Sequence, residues 1–255
     1  MTAPAENSVK LATAIYLKSP TNISTPALLS DFGRRWPAQT IDVPGEQQGA
    51  TRLSVNGFRF TIESRNAAIP EGVTEEALPA RHWPEAQDEI RTSLAHLFVY
   101  SMARREETLN VASALTKLVA SLLSVSPSVG VLWLNGPVLN SASSFVGIAT
   151  QMADLQSLPL ILWIAAHWNA KEHLIYTKGM SQFGAPEILI AQQKELSSSV
   201  VAYVFDLADY LIASGKVLLD GETVDGPDGG ALMVKNMRAK DNGRRGVFLV
   251  PLTPN

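Results

Sequence analysis

Two histidines stand close enough in the sequence to suggest a metal site. His167 and His173 flank a segment typical of a turn, so the facing strands of a hairpin would bring their rings together. Glu172 would add a carboxylate, and zinc accepts imidazole nitrogen and carboxylate oxygen as ligands. No further ligand is spaced to complete a four-coordinate site. The interpretation we favour is that both histidines are ordinary hairpin residues, and no metal or other cofactor is predicted.

A cluster of serines could in principle supply a nucleophile. Ser141, Ser143 and Ser144 would then need a histidine base and an orienting acid beside them in space, and the sequence does not identify either. Serine is also a preferred N-cap residue. The cluster therefore predicts the start of a helix near Phe145 rather than an active site.

Motifs that bind phosphate or activate a nucleophile are missing from the sequence. Neither Gly-x-Gly-x-x-Gly nor the phosphate loop that ends in Gly-Lys-Ser/Thr occurs, and Gly-x-Ser-x-Gly and His-Glu-x-x-His do not occur either. The absence of cysteine excludes disulfides, thiolate zinc sites and cysteine nucleophiles. We therefore predict no catalytic residue.

Tyrosines and an acid follow one face of a helix predicted over residues 197–213. A first stripe of this helix is apolar and is expected to be buried; it consists of Val200, Val204, Leu207, Ala208, Leu211 and Ile212. A second stripe contains Ser199, Tyr203, Asp206 and Tyr210, which repeat at helical spacing. Tyrosine provides a large contact area and an acid selects a basic partner, so this face suits protein recognition. The alternative is that both tyrosines edge the core and Asp206 is only solvated.

Charge is unevenly distributed along the second half of the chain. The net charge of −3 and the pI near 5.8 argue against nucleic acid as the primary ligand. Acids outnumber bases between residues 206 and 228, whereas bases outnumber acids between residues 235 and 245, where a solvated hairpin loop explains the bases without a ligand. The candidate partner-binding residues are Tyr203, Asp206, Asp209, Tyr210, Asp220, Glu222 and Asp225.

Residues 176–188 contain a motif that resembles the signature of a bacterial family of unknown function. In that family, Tyr-Thr-x-Gly is followed by Phe-Gly-x-Pro-Glu, and the matching residues are Tyr176, Thr177, Gly179, Phe183, Gly184, Pro186 and Glu187. Some members look like immunity proteins that bind and neutralise toxins delivered by type VI secretion. The resemblance therefore implies a non-catalytic immunity protein that occludes a cognate bacterial toxin, with a nuclease effector as the expected toxin.

The same motif also has a local structural meaning. Gly179 and Gly184 are expected to adopt backbone conformations that a Cβ would disfavour, and Pro186 stiffens the entry to a strand over residues 187–190. Glu187 is the one residue of the motif that could act chemically, although no acid, base or metal partner is evident.

Two other functions stay open beside the immunity protein. The first is a hydrolase with a site between the two halves of the chain, which would use Glu187 or the His167 and His173 pair. The second is a structural or scaffold subunit. A toxin gene beside the gene for this chain would favour the immunity protein, and a metabolic operon would favour the hydrolase.

Helices and strands follow one another in an order typical of α+β packing, with helices on a largely antiparallel sheet. The strongest signals are a hairpin at Asn56-Gly57, a helix over residues 106–125 and the helix over residues 197–213, which Gly215 ends. Further strands are predicted over residues 9–17, 95–100, 129–134, 160–166, 173–177, 231–234 and 246–250, a hairpin over residues 216–224, and helices that begin near Thr25 and Phe145.

The chain is predicted to form a single α+β domain over residues 1–255, with loosely separated halves over 1–137 and 138–255. No stretch reaches the ~20 consecutive apolar residues of a membrane-spanning helix. The N-terminal residues have no basic start followed by an apolar segment. We therefore expect a cytoplasmic protein without a membrane partner.

Overall fold

The computed structural model describes residues 7–47, 50–74, 77–79, 83–191, 197–238 and 245–251. It divides into two units, Met1–Leu162 and Trp163–Asn255. Both contain helices and mostly antiparallel strands, which confirms the predicted α+β class. The sequence placed the division of the chain after Pro137, and the structure places it after Leu162. That the whole chain is one domain stays a prediction.

The first unit contains an eight-stranded sheet with the order β2-β3-β4-β6-β1-β7-β8-β5. Neighbouring strands are antiparallel except for β5 and β8. The strands are β1 (Ser8–Leu17), β2 (Ile41–Gln47), β3 (Ala50–Val55), β4 (Phe58–Arg65), β5 (Leu78–Pro79), β6 (Ala95–Arg104), β7 (Ser128–Trp133) and β8 (Val138–Ser141). The helices are α1 (Thr25–Arg35), α2 (Glu71–Thr74), α3 (Ala86–Arg91), α4 (Thr108–Val125), α5 (Ala142–Asp154) and α6 (Leu160–Trp163), the last of which crosses the division.

Helix α4 lies in the core of the first unit, because most of its residues are apolar. Twelve of its residues are buried, among them Leu115, Leu118 and Leu122. Residues Arg105–Val125 are long and apolar enough to cross a membrane by length and composition alone, but 67% of their apolar 18-residue stretch is buried inside the protein. The helix therefore serves as a core helix, because its apolar surface is covered by the protein itself.

Capping by serine fixes where two helices of the first unit begin. Ser24 accepts a hydrogen bond from Ala27 N and is the N-cap of α1, so the helix begins at Thr25, where the sequence predicts its start. Ser141 accepts a hydrogen bond from Ser144 N and is the N-cap of α5. The predicted structural role of the serine cluster is therefore confirmed for Ser141.

The second unit contains a six-stranded sheet with the order β12-β13-β14-β11-β10-β9. Strands β11 and β14 are parallel, and the other neighbours are antiparallel. Helix α7 (Ser198–Ser214) has Ser197 as its N-cap and ends at Gly215, whose φ is +64°. The strands are β9 (Ala165–Asn169), β10 (Leu174–Lys178), β11 (Glu187–Ile190), β12 (Thr223–Asp225), β13 (Ala231–Arg238) and β14 (Arg245–Pro251).

Two sequence predictions for this part of the chain are wrong. Residues 160–166 are a helical turn, α6, followed by the start of β9, because a short apolar run without alternation fits a buried helix as well as a strand. Residues 216–224 do not form a hairpin. The turn at Gly221 exists, with φ of +84°, but β12 pairs with β13 instead of with residues 216–219.

A close approach at Gly130 in β7 leads to a stability prediction. A Cβ built there would lie 2.5 Å from the buried ring of Trp83 and 2.6 Å from the Asn140 carbonyl oxygen. We expect Gly130→Ala to lower the free energy of unfolding by about 1–3 kcal/mol, because the core must shift to admit the methyl group. Urea unfolding followed by tryptophan fluorescence measures the change.

Gly147→Ala is the matched control for this substitution. Gly147 lies in α5, is exposed, and has no atom within 4 Å of the added Cβ. Alanine at this position should raise the free energy of unfolding by about 0.5–1 kcal/mol, since glycine is unfavourable inside a helix. Equal effects of the two substitutions would contradict the packing at Trp83.

Candidate functional site

The carboxylate of Glu187 organises the corner between β10 and β11. Its Oε1 accepts hydrogen bonds from Gly179 N at 3.1 Å and Ser181 N at 3.2 Å. Its Oε2 accepts from Thr177 Oγ1 at 2.9 Å and from Met180 N at 3.2 Å. Backbone N–H groups at the start of a helical turn have no acceptor within that turn, and Glu187 supplies acceptors for those at the 3-10 turn over residues 180–183.

Other residues of the same motif hold this corner in place. Gly179 and Gly184 have φ of +118° and +78°, as the sequence predicted. Thr177 is 2% exposed, and its hydroxyl also accepts a hydrogen bond from Ile188 N at 2.8 Å. The amide of Gln182, also buried, donates to the carbonyl of Gly179 at 2.7 Å. These residues of the motif therefore have a structural role, because they hold the backbone of the corner in place.

The four hydrogen bonds to Glu187 argue against its use as a catalytic base. A carboxylate has about four lone-pair positions, and Glu187 accepts four hydrogen bonds from the protein. A general base needs a lone pair directed at the proton that it removes. Glu187 therefore suits a positioning role at this corner, and it is a poor candidate for proton abstraction.

The two histidines of the hypothesised metal site do not converge. His167 in β9 lies opposite Tyr176 in β10, and their rings stack with centroids 4.9 Å apart. His173 has φ of +50° and its ring contacts Trp168 edge-on, with centroids 6.4 Å apart. Consecutive residues of a strand point to opposite faces, so His167 and Trp168 direct their rings to opposite sides of the sheet.

Glu172, the third member of that hypothesis, has a local partner instead. Its carboxylate accepts a hydrogen bond from the Asn169 side chain at 3.0 Å, within the turn between β9 and β10. Within the described ranges, no group of three or more His, Cys, Asp or Glu side chains is placed to hold a metal ion. The hairpin itself forms, with β9 and β10 antiparallel.

The tyrosines and acids predicted to bind a partner lie on and after helix α7. Asp206, Asp209 and Tyr210 are exposed, and Tyr210 keeps 49% of its surface accessible. Asp225 is exposed in β12, while Tyr203 is half-buried. Asp220 is exposed and Glu222 is half-buried in the segment between α7 and β12. We refer to these seven residues as the acidic surface: Tyr203, Asp206, Asp209, Tyr210, Asp220, Glu222 and Asp225.

Within the acidic surface, Tyr203 is shielded from water and feels the charge of Asp225. Burial raises the pKa of the Tyr203 hydroxyl to about 12, and the negative charge of Asp225 contributes to the same shift. The Tyr203 hydroxyl oxygen is buried and has no hydrogen-bond partner among the described residues. Tyr203 therefore edges the core, and Tyr210 is the tyrosine that presents its ring.

Two exposed apolar residues beside the acidic surface were missed by sequence reasoning. Val217 and Leu219 are 62% and 59% exposed, whereas Leu218 between them is 1% exposed. Leu219 N donates to the Glu222 carboxylate at 2.9 Å, and Lys216 N donates to Ser214 Oγ at 3.1 Å, which ties the backbone down. The sequence places this run in the first strand of the predicted hairpin over residues 216–224, and it does not show which residues are exposed, because only alternate residues of an extended segment share a side. Exposed apolar groups next to polar ones are typical of protein-binding surfaces.

An α+β fold with an acidic, tyrosine-bearing surface describes the second unit. In a comparison with protein families, residues 176–249 match the family model of DUF4261, a domain of unknown function. This range contains the corner at Glu187, helix α7 and the acidic surface. No curated protein and no solved structure matched the chain.

The corner predicts that Glu187→Gln destabilises the protein. An amide offers one oxygen and one NH₂ group, so donors that now face a carboxylate oxygen would face another donor. We expect the free energy of unfolding to fall by about 1–3 kcal/mol in urea unfolding. Glu172→Gln is the control; it makes the same change in an exposed turn and should stay within about 0.5 kcal/mol. A similar loss in both variants would contradict the structural role of Glu187.

Burial of Tyr203, together with the charge of Asp225, predicts an alkaline transition. The folded pKa of about 12 lies above the ordinary tyrosine pKa of about 10, so this contribution to stability is complete below pH ~10 and is lost as the pH rises through 12. Asp225→Asn should lower the pKa of Tyr203, and Asp228→Asn should not change it. Phenolate absorbance, assigned by its loss in Tyr203→Phe, measures the transition. An unchanged pKa in Asp225→Asn would contradict a contribution of the Asp225 charge.

Proposed function

We propose that this protein is a cytoplasmic immunity protein, which binds a secreted antibacterial toxin and neutralises it by occlusion. The observation that supports this proposal most is the acidic surface, in which Asp206, Asp209 and Asp225 are exposed and Tyr210 presents its ring. The resemblance of residues 176–187 to a family with type VI secretion immunity members suggests the kind of partner. Occlusion needs contact area and complementary charge, and it needs no catalytic group.

A nuclease effector is the toxin that fits this surface best. Nucleases bind a polyanion, so the surface around their active site is typically basic. Carboxylates on this chain would complement that charge, and charge complementarity raises the rate of association. Tyr210 would supply the contact that slows dissociation most, because tyrosine is enriched among the residues that carry most of an interface's affinity. Val217 and Leu219 would add apolar contacts that exclude water around it.

The hydrolase alternative has less support among the described residues. Glu187 is engaged by four donors, and the rings of His167 and His173 contact different partners on opposite sides of their sheet. Neither candidate presents an unengaged acid or base beside a second catalytic group. The described residues therefore support a binding function better than a hydrolase.

The genes that flank the gene for this chain provide the test. Each neighbouring product is expressed in bacteria with and without this chain. We expect one product to stop growth on its own and co-expression of this chain to restore growth. If no neighbouring product is toxic, or if this chain protects against none of them, the immunity proposal fails.

The acidic surface predicts which substitutions weaken toxin binding. Tyr210→Ala combined with Asp206→Lys removes an aromatic contact and places a like charge against a basic partner. Each change costs about 1–3 kcal/mol at the centre of an interface, so the affinity should fall roughly thirtyfold to ten-thousandfold. Titration calorimetry with the toxic neighbour measures the loss. Tyr210 is a better choice than Tyr203, whose removal would also disturb packing.

A matched double variant controls for the loss of charge and apolar surface. Asp154→Lys with Leu155→Ala makes equivalent changes at the end of α5, where both residues are exposed. This variant should bind the toxin as the wild type does, and circular dichroism checks that both variants fold. Unchanged affinity in a folded Tyr210→Ala, Asp206→Lys variant would move the interface away from the acidic surface.

A further inference from the structure

The first sheet has one packed face and one open face over β3, β4, β6 and the start of β1. Burial alternates along β6: Leu97 and Val99 are fully buried, whereas Phe98 and Tyr100 are half-buried and Met102 is 56% exposed. Such alternation is typical of an antiparallel sheet with helices on one face only. The open face therefore presents an aromatic pair on a strand near the middle of the sheet.

Register places basic side chains on the same open face. Lys10 pairs with Met102, Phe98 pairs with Glu63, and Tyr100 pairs with Thr61, which in turn pairs with Arg52. Residues paired across antiparallel strands point to the same side. The bases of this face are exposed and outnumber its acids: Lys10, Arg52, Arg59, Arg65 and Arg104 stand against Asp42 and Glu63. Arg104 is ion-paired with Glu106 and Glu107, which follow the strand.

The aromatic pair and the nearest base form one contiguous group. The rings of Phe98 and Tyr100 have centroids 5.2 Å apart. The ammonium group of Lys10 lies 4.8 Å from the Phe98 ring centroid and 4.3 Å from that of Tyr100. The Tyr100 hydroxyl donates to Glu63 at 3.2 Å, and Arg65 donates to the same carboxylate at 2.6 Å. Two rings are thus held side by side with cations around them.

We propose that this open face binds single-stranded nucleic acid, with bases stacked on Phe98 and Tyr100 and phosphates paired with Lys10 and Arg59. Sheet-borne aromatic rings in a basic surround are how many proteins bind single strands, because every base has a stacking face and every nucleotide carries a charge. An acidic peptide would use the cations but not the adjacent rings. This activity is separate from toxin binding and uses different residues.

Fluorescence anisotropy with a labelled oligothymidylate of about 15 nucleotides tests the proposal. We expect saturable binding at low salt that weakens as salt is added, because counterions are released when phosphates are paired. Phe98→Leu keeps an apolar side chain and removes the ring, and should weaken binding roughly fivefold to hundredfold. Arg59→Glu, on the surface, should weaken binding and flatten the salt dependence even if Phe98→Leu does not fold.

Lys216→Glu is the matched control, since it makes the same change in charge at an exposed residue outside this face. It should leave oligothymidylate binding unchanged. Absence of binding at low salt would overturn the proposal, as would equal weakening by Lys216→Glu and Arg59→Glu. Binding of polyglutamate in competition with the oligonucleotide, with no effect of Phe98→Leu, would identify an acidic peptide surface instead and would also overturn it.

Discussion

Packing of helix α4 against one side of the first sheet is the interaction on which that unit depends. Strand β1 lies between β6 and β7, and every residue from Leu11 to Leu17 is buried. Towards β3 and β4 only alternate residues are buried, because helices cover one face there. Burial on the helical side stabilises the unit, and the side chains of the other face remain accessible to solvent. The aromatic and basic residues around Phe98 occupy that second face.

In the second unit, the carboxylate of Glu187 holds one turn in place, as the packing of α4 holds the sheet of the first unit. Glu187 satisfies three backbone N–H groups and one hydroxyl, which fixes the 3-10 turn between β10 and β11. The residues of the signature are therefore explained by what folding requires at this corner. A motif of that kind identifies a fold, and function must be sought on the surface that the fold presents. The surface that we propose for toxin binding consists of Tyr210, its neighbouring acids, Val217 and Leu219.

Local chemistry explains which elements the sequence predicts well. Asn56-Gly57 produces a hairpin because both residues tolerate positive φ, and both adopt it, at +50° and +83°. Ser197 and Gly215 mark the ends of α7 because one caps N–H groups and the other accepts a left-handed conformation. Strand β2 was missed, because Pro44 and an irregular register within it hide the strand pattern. The class of fold was predictable because these local signals recur along most of the chain.

The candidate site was only partly predictable, because tertiary structure decides which side chains meet. No rule of sequence spacing predicts that Glu187 accepts a hydrogen bond from Gly179 N, or that the charge of Asp225 acts on Tyr203. The net charge of −3 does not predict the charge of a particular surface either, because it is a sum over the whole chain. Charges more than ~8 Å apart at the surface are largely screened at physiological salt, so a partner responds to the groups that it touches. One acidic chain can therefore carry acids around Tyr210 and bases around Phe98, and a partner at either place would meet the local sign of the charge, not the net charge.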